Sequence, residues 1–513
     1  MELLNKLKFY SQKHKDKLAF VTNNQKLTYK ELWDFSQNLG SWFKKNITDD
    51  KKPIVVVGHK DPLMVVSFLA SIKSGHAYVP CDHFMPLDRI QKIIEATATE
   101  CVINLSALKI APSSNNIVIE KSQHEISLEK IIQEQHGELA ASSAIGLDDD
   151  FYLMFTSGTT GMPKGVRITT GCITDFMDWM SDEFKFKEGE ESFLNQVPLS
   201  FDISDFELFN SLNHAGTVYS ITDEHIKNPH NLFKRLYEIP ITFWVSTPSF
   251  VNMCLREKTF NSKNISTLNR FFFAGEVLSN KCVKEVLDRF PNSHVFNLYG
   301  PTEATCVVTC IEIDKNVLEN FDPLPIGYAK PRSEILIMKD GKKLPDNEKG
   351  EIVLVGSNVS PGYLNNPEQT SKKFFKQELE GVGLVNGYYT GDQGYKVDGL
   401  VFYDGRMDNQ VQLHGYRIEL DDIENNIRRI SGVDDIVVLP HIKNGEIDYL
   451  IGFVLWNGKK FKGDLEWIVY LNNKLKKIIP NYMIPKKLIK KDNFPMTMNG
   501  KVDKKQLTAE IMK

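Results

Sequence analysis

The sequence predicts an α/β fold, and three observations carry that prediction. Apolar runs of strand length at residues 54–57, 151–155, 243–245 and 271–273 alternate with longer helical patterns at 63–73 and 281–289. This is the signature of buried strands joined by covering helices. Beyond about Pro323 the character changes to short β-like segments at 325–327, 335–338, 350–355 and 399–403, separated by turn residues, so a small β-rich subdomain is expected. Finally, the polar, turn-prone Gly405-Arg406-Met407-Asp408-Asn409-Gln410 precedes a fresh α/β pattern with a helix-like stretch at 420–430. The main boundary is therefore set there, giving domains 1–407 and 408–513.

At 513 residues, 42% hydrophobic and 25% charged, the chain can bury large cores, and its length suits about two to four domains. The formal net charge of -4 is small for this length. It creates no global field that would call for nucleic acid or an anionic membrane. The basic run at 474–477 reads as a solvated helix face, and the polar stretch 121–150 as a surface excursion. There is no apolar run of about 18 residues, and the start lacks a signal peptide's apolar core. A cytoplasmic protein without a transmembrane segment is expected. The seven cysteines are scattered, apart from Cys306 and Cys310, and read as reduced, mostly buried thiols rather than a disulfide framework or a metal site. No internal repeat is found.

The most informative segment is Phe155-Thr156-Ser157-Gly158-Thr159-Thr160-Gly161-Met162-Pro163-Lys164-Gly165. Glycines there let the backbone approach an anion closely, while hydroxyls, amides and one ammonium neutralise it. It is not a Walker A loop. Counting from Gly158, Lys164 is in register, but Pro163 replaces the second glycine and Gly165 the Ser/Thr that would hold Mg²⁺.

This loop resembles the phosphate loop of the adenylate-forming enzymes, the superfamily of amino-acid adenylation domains, acyl-CoA synthetases and firefly-type luciferases. The same order of signals continues with Asn297-Leu298-Tyr299-Gly300-Pro301-Thr302-Glu303, Tyr389-Thr390-Gly391-Asp392, Gly405-Arg406-Met407-Asp408 and Asn499-Gly500-Lys501-Val502-Asp503. Within the superfamily, Lys73-Ser74-Gly75-His76-Ala77-Tyr78-Val79-Pro80, Leu413-His414-Gly415-Tyr416-Arg417-Ile418-Glu419 and Pro480-Asn481-Tyr482-Met483-Ile484-Pro485 are most similar to the stand-alone D-alanine:carrier protein ligases of teichoic acid modification. The resemblance implies a large N-terminal domain of two α/β subdomains plus the β-rich part. A small, mobile α+β C-terminal domain follows.

A carboxylate is a poor electrophile until it gains a good leaving group, and AMP drawn from ATP supplies one. By resemblance, Thr156, Ser157, Gly158, Thr159, Thr160, Gly161 and Lys164 hold the β- and γ-phosphates. Glu303 would help coordinate Mg²⁺, and Thr302 would meet the α-phosphate beside Gly300. Tyr299 would stack on adenine, Asn297 would meet its polar edge, and Gly275 and Glu276 would form another wall. Asp392 can accept from both ribose hydroxyls, with Arg406 donating nearby. Lys501 would reach the substrate carboxylate and α-phosphate, and Asp408 would be the hinge about which the C-terminal domain turns between half-reactions.

Asp202 opens a helix-like segment and could be a simple N-cap. In amino-acid adenylating relatives the matching acid pairs with the substrate α-ammonium, which favours an amino acid over a fatty acid. By matching, the side-chain pocket draws on Ile203, Phe206, Ser246, Phe272, Ala274, Leu298, Cys306 and Val307, a set suited to a small apolar substrate. Ala274 stands where the D-alanine ligases usually carry a cysteine, so glycine, L-alanine or D-serine stay open beside D-alanine. Little sequence follows Asp503, so the acceptor is expected in trans, as a separate phosphopantetheinylated carrier protein, with CoA the alternative. An acyl- or aryl-CoA synthetase, or a nucleotide-binding regulator without catalysis, are the competing readings.

Overall fold

The computed structural model describes residues 2–48, 51–122, 127–158, 162–443, 446–496 and 502–511. The chain forms two compact units. One comprises Met1–His83, Ile94–Phe155 and Gly165–Met407; the other Phe84–Ile93, Thr156–Lys164 and Asp408–Lys513.

The larger unit is α/β. Its first sheet runs Ile117–Glu120, Cys101–Asn104, Ile54–Gly58, Tyr78–Asp82, Asp150–Thr156 and Lys164–Thr169. Ile54–Gly58 pairs in parallel with both of its neighbours and every residue in it is buried. A strand covered on both faces must be apolar throughout, which is why 54–57 reads as a continuous run rather than an alternating one. The helix Pro62–Ser74 that follows begins with Asp61 accepting from the Leu63 amide and with proline in its first turn. It ends at Gly75 with φ +99°, so its boundaries are written in the sequence.

A second, nine-stranded sheet is parallel at its centre, where His294–Tyr299, Arg270–Phe273, Phe243–Ser246, Ser192–Asn195 and Thr217–Ser220 lie side by side. Strand alternation splits the triple phenylalanine. Phe272 enters the main core, while Phe271 and Phe273 enter a separate one on the opposite face. Phe193, Phe243, Phe272 and Phe296 form an aromatic ladder across the strands, with successive ring centroids 4.5, 5.7 and 4.9 Å apart. This ladder gives Phe272 a rigid backing.

The β-rich part is an antiparallel sheet of Lys342–Lys343, Ser333–Lys339, Gly350–Gly356, Gly383–Val397, Phe374–Leu379 and Leu400–Arg406. Residues 325–327 are not a strand of their own; Gly327 makes an isolated bridge to Val401 instead. The 121–150 stretch is also more than a surface excursion. Leu128, Ile131 and Ile132 on the short helix Leu128–Gln133 are buried in the main core.

In the smaller unit, Gln410–Leu413 and Tyr416–Glu419 form a hairpin whose turn residues His414 and Gly415 both have positive φ, 50° and 83°. Two such residues give the tight turn that matches strand twist. Beyond it, Val433–Lys443, Glu446–Trp456 and Lys487–Lys491 make a three-stranded sheet. Leu420–Arg428 and Asp464–Leu475 supply residues to the core on one face, and Lys504–Ile511 to that on the other.

Candidate active site

In the larger unit, the strand His294–Tyr299 delivers Asn297 and Tyr299 at its C-terminal end, where open α/β sheets bind ligands. The Tyr299 hydroxyl donates to Asp392 Oδ2 at 2.5 Å, and Arg406 Nη1 donates to Asp392 Oδ1 at 2.6 Å. Burial and the adjacent carboxylate push the Tyr299 phenol well above its usual range, so it remains a neutral donor. Arg406 and Asp392 face each other across paired strands, and their side chains are 15% and 7% exposed. The Asn297 amide donates to the Pro325 carbonyl at 2.8 Å. The sequence reading assigned Tyr299 only to stacking; the structure adds its hydroxyl as an orienting donor for Asp392.

After Gly300 the chain makes the turn Thr302–Ala304. A Cβ on Gly300 would lie 2.5 Å from Val307 Cα, so only glycine lets these two backbone segments approach. Thr305 and Cys306 both adopt left-handed φ, 57° and 70°. Such strain in consecutive non-glycine residues needs external support. Asn358 supplies it, donating to the Ala304 carbonyl at 2.6 Å and accepting from the Thr305 hydroxyl at its own carbonyl at 2.7 Å. Glu303 is fully buried, accepts from the Tyr363 hydroxyl at 2.8 Å, and takes the Ser360 amide at its carbonyl. Asn358 and Tyr363 were not legible as partners of this turn, because the residues they bond, Ala304, Thr305 and Glu303, lie more than fifty positions away in the sequence.

Asp202 occupies the N-cap position of the helix Ile203–Asn213, yet its carboxylate makes no cap hydrogen bond. The simple capping role is thus not the one it plays. Ile203, Phe206, Phe272, Ala274, Leu298, Cys306 and Val307 all belong to one buried cluster. The Phe206 and Phe272 rings lie 4.8 Å apart. Ser246 is fully buried; its hydroxyl takes the Trp244 indole N–H at 2.7 Å and donates to the Thr247 carbonyl. Burial raises the Cys306 thiol well above its usual range, with Asp202, Asp205 and Glu207 adding to the effect, so it behaves as a small apolar wall. Gly275 has φ +81°, and a Cβ there would come within 2.9 Å of Ile203 Cδ1. Glu276 accepts from the Ser249 amide at 2.9 Å, which ties this wall to a neighbouring helix start.

The phosphate loop leaves the strand Asp150–Thr156 and re-enters at Lys164–Thr169. A Cβ on Gly158 would sit 2.1 Å from the Met162 carbonyl oxygen, so the cradle tolerates only glycine there. Within the smaller unit the Ser157 hydroxyl donates to the Arg417 carbonyl and accepts from the Glu419 amide, both at 3.2 Å. Lys164 Nζ lies 3.7 Å from Glu419 Oε1. Thr159, Thr160, Gly161 and Lys501 lie outside the described residues. Asp408 is exposed, and its carboxylate accepts from the Gln410 amide at 3.1 Å. Among the described residues, no helix is long and apolar enough to cross a membrane.

The family model of the AMP-binding enzymes matches residues 8–364. The chain belongs to that family. As an AMP-binding enzyme it is an adenylate-forming ligase that makes a thioester and uses ATP. Curated relatives named D-alanine--D-alanyl carrier protein ligase, from Bacillus cereus (strain B4264) and Bacillus thuringiensis (strain Al Hakam), are each 40% identical over 512 residues. The match covers 100% of this chain and of each relative. A Vibrio cholerae adenylation domain solved with glycyl-adenosine-5'-phosphate shares the fold at TM-score 0.82 and 21% identity, covering 100% of this chain and 97% of that one. An NRPS protein containing adenylation and PCP domains, bound to a vinylsulfonamide inhibitor, gives TM-score 0.81 at 24% identity, covering 99% of this chain and 84% of that one.

Proposed function

We propose that this enzyme activates D-alanine as its acyl-adenylate and passes the acyl group to the phosphopantetheine thiol of a separate carrier protein in the cytoplasm, where ATP is supplied. The observation that carries the reading is the full-length likeness, 40% identical over 512 residues, to relatives named D-alanine--D-alanyl carrier protein ligase, joined to a buried cluster of small and aromatic side chains beside which Asp202 stands. A carboxylate at that position is of the right charge to pair with a substrate α-ammonium.

In this reading Asp202 holds the ammonium, and Lys501 draws the substrate carboxylate toward the α-phosphorus. A carboxylate oxygen bonds to phosphorus as the bond to pyrophosphate breaks. Thr302 and the loop residues Thr156, Ser157, Thr159, Thr160 and Lys164 offset the phosphate charge. Asp392, oriented by Tyr299 and Arg406, accepts from the ribose. The buried oxygen of Glu303 is of the hard donor type that suits Mg²⁺, whose chemistry, when bound, is to draw charge from the polyphosphate. The chain then turns about Asp408, and the carrier thiolate displaces AMP.

Ala274 supports a second reading. Its side chain is a single methyl group, smaller than the cysteine expected by resemblance, so glycine, L-alanine and D-serine enter as competitors. One methylene is discriminated by only about 1–3 kcal/mol. Carrier loading followed by intact-protein mass, with deuterium-labelled D-alanine and unlabelled L-alanine, glycine and D-serine in competition, decides the matter, because the label separates the two alanine enantiomers by mass. Preferential D-alanyl thioester supports the first reading; preferential loading of another amino acid replaces the substrate and keeps the reaction.

A further inference from the structure

One surface lies outside this chemistry. Residues 459–477 carry six lysines, Lys459, Lys460, Lys462, Lys474, Lys476 and Lys477, against two acids, Asp464 and Glu466, in a chain whose net charge is -4. All six lysines are exposed, and among the described residues none is in an ion pair. They bracket the helix Asp464–Leu475. Lys459 and Lys474, from opposite ends of it, converge on the Tyr470 ring at 5.8 and 5.7 Å, so the two clusters form one patch. The inner face of the helix is committed, with Trp467, Leu471 and Leu475 in the core. On its outer face Leu465 and Val469, one turn apart, are 76% and 52% exposed.

We propose that this face docks on an anionic lipid surface. Long lysine stems let the ammonium groups reach headgroup phosphates while Leu465 and Val469 enter the acyl boundary, with Trp456 and Tyr470 at the rim. The residue types favour lipid over an acidic protein. Protein interfaces enrich arginine and deplete lysine, whereas every cation here is lysine. The aliphatic pair also stands on a helix crest, where a polyanion such as RNA has nothing to offer it. Attachment of this kind is peripheral and reversible.

The test is flotation of the full chain with vesicles of phosphatidylcholine alone or mixed with phosphatidylglycerol, at low and high salt. Binding to the mixed vesicles only, lost at high salt, is expected. Each lysine is worth about five-fold in partition. The triple variant Lys474→Glu, Lys476→Glu, Lys477→Glu should therefore lose about a hundred-fold. Leu465→Gln with Val469→Gln should lose about ten-fold while circular dichroism and pyrophosphate exchange stay unchanged. Equal partition into both vesicle types, or no binding, overturns the proposal, as does a double variant that binds like the parent. No vesicle binding together with slowed carrier loading in the triple variant assigns the face to an acidic protein instead.

Discussion

Tyr363→Phe removes a single hydroxyl, the one that donates to Glu303 at 2.8 Å. The ring stays packed against Phe374, 5.3 Å between centroids, so no cavity opens. The loss is therefore close to that of one hydrogen bond to a charged group, about 1.5–3 kcal/mol. Glu303 is 0% exposed and Tyr363 6%, so water cannot easily replace the donor, and the upper half of that range is expected. Urea unfolding should show the destabilisation, and a double-mutant cycle with Glu303→Gln should return most of it as coupling. Because the same carboxylate is proposed to hold Mg²⁺, pyrophosphate exchange in the variant should also need more Mg²⁺. A stability change under about 0.5 kcal/mol with unaltered Mg²⁺ dependence would refute the reasoning.

Three further outcomes are expected. Lys501→Ala should lose adenylate formation severely yet still load the carrier from supplied adenylate; equal loss of both half-reactions contradicts its role. Asp408→Pro should spare pyrophosphate exchange and slow transfer, as single-turnover loading will show. Glu207 is pushed up to about 8 by burial from a free value of 4.5. The folded state then binds the extra proton between those values, so this group's stabilisation is full below about pH 4.5 and is lost as the pH rises to about 8. Glu207→Gln should gain stability relative to the parent as the pH rises through that window. Urea midpoints taken below pH 7 avoid Lys60, which burial lowers to about 7 and which acts in the opposite sense above it.

The legible parts of the molecule were those whose physics is local. Strand runs such as 54–57 and the helical pattern at 63–73 follow from neighbouring residues, and the segments around Gly158 and Gly300 are short motifs with glycines that backbone approach demands. What escaped depends on distant partners. Asn358 and Tyr363 act on residues 54 and 60 positions away. Leu18–Val21 joins the nine-stranded sheet by pairing with Thr217–Ser220, a pairing no periodicity announces. Nothing in the sequence around Lys60 singles it out, yet its ammonium is buried and donates to the carbonyls of Gln196 and Ile221. Leu128, Ile131 and Ile132 show helical spacing over too few residues to stand out from polar flanks.

The most direct test of the central claim compares alanine with propionate, which differs only by lacking the amine, in pyrophosphate exchange by the parent and by Asp202→Asn. The parent should prefer D-alanine over propionate by about a hundred-fold, and the variant should lose most of that preference, since a hydrogen-bonded contact between charged groups is worth about 1.5–3 kcal/mol. Exchange with propionate as fast as with D-alanine, or a preference untouched by Asp202→Asn, would contradict the account.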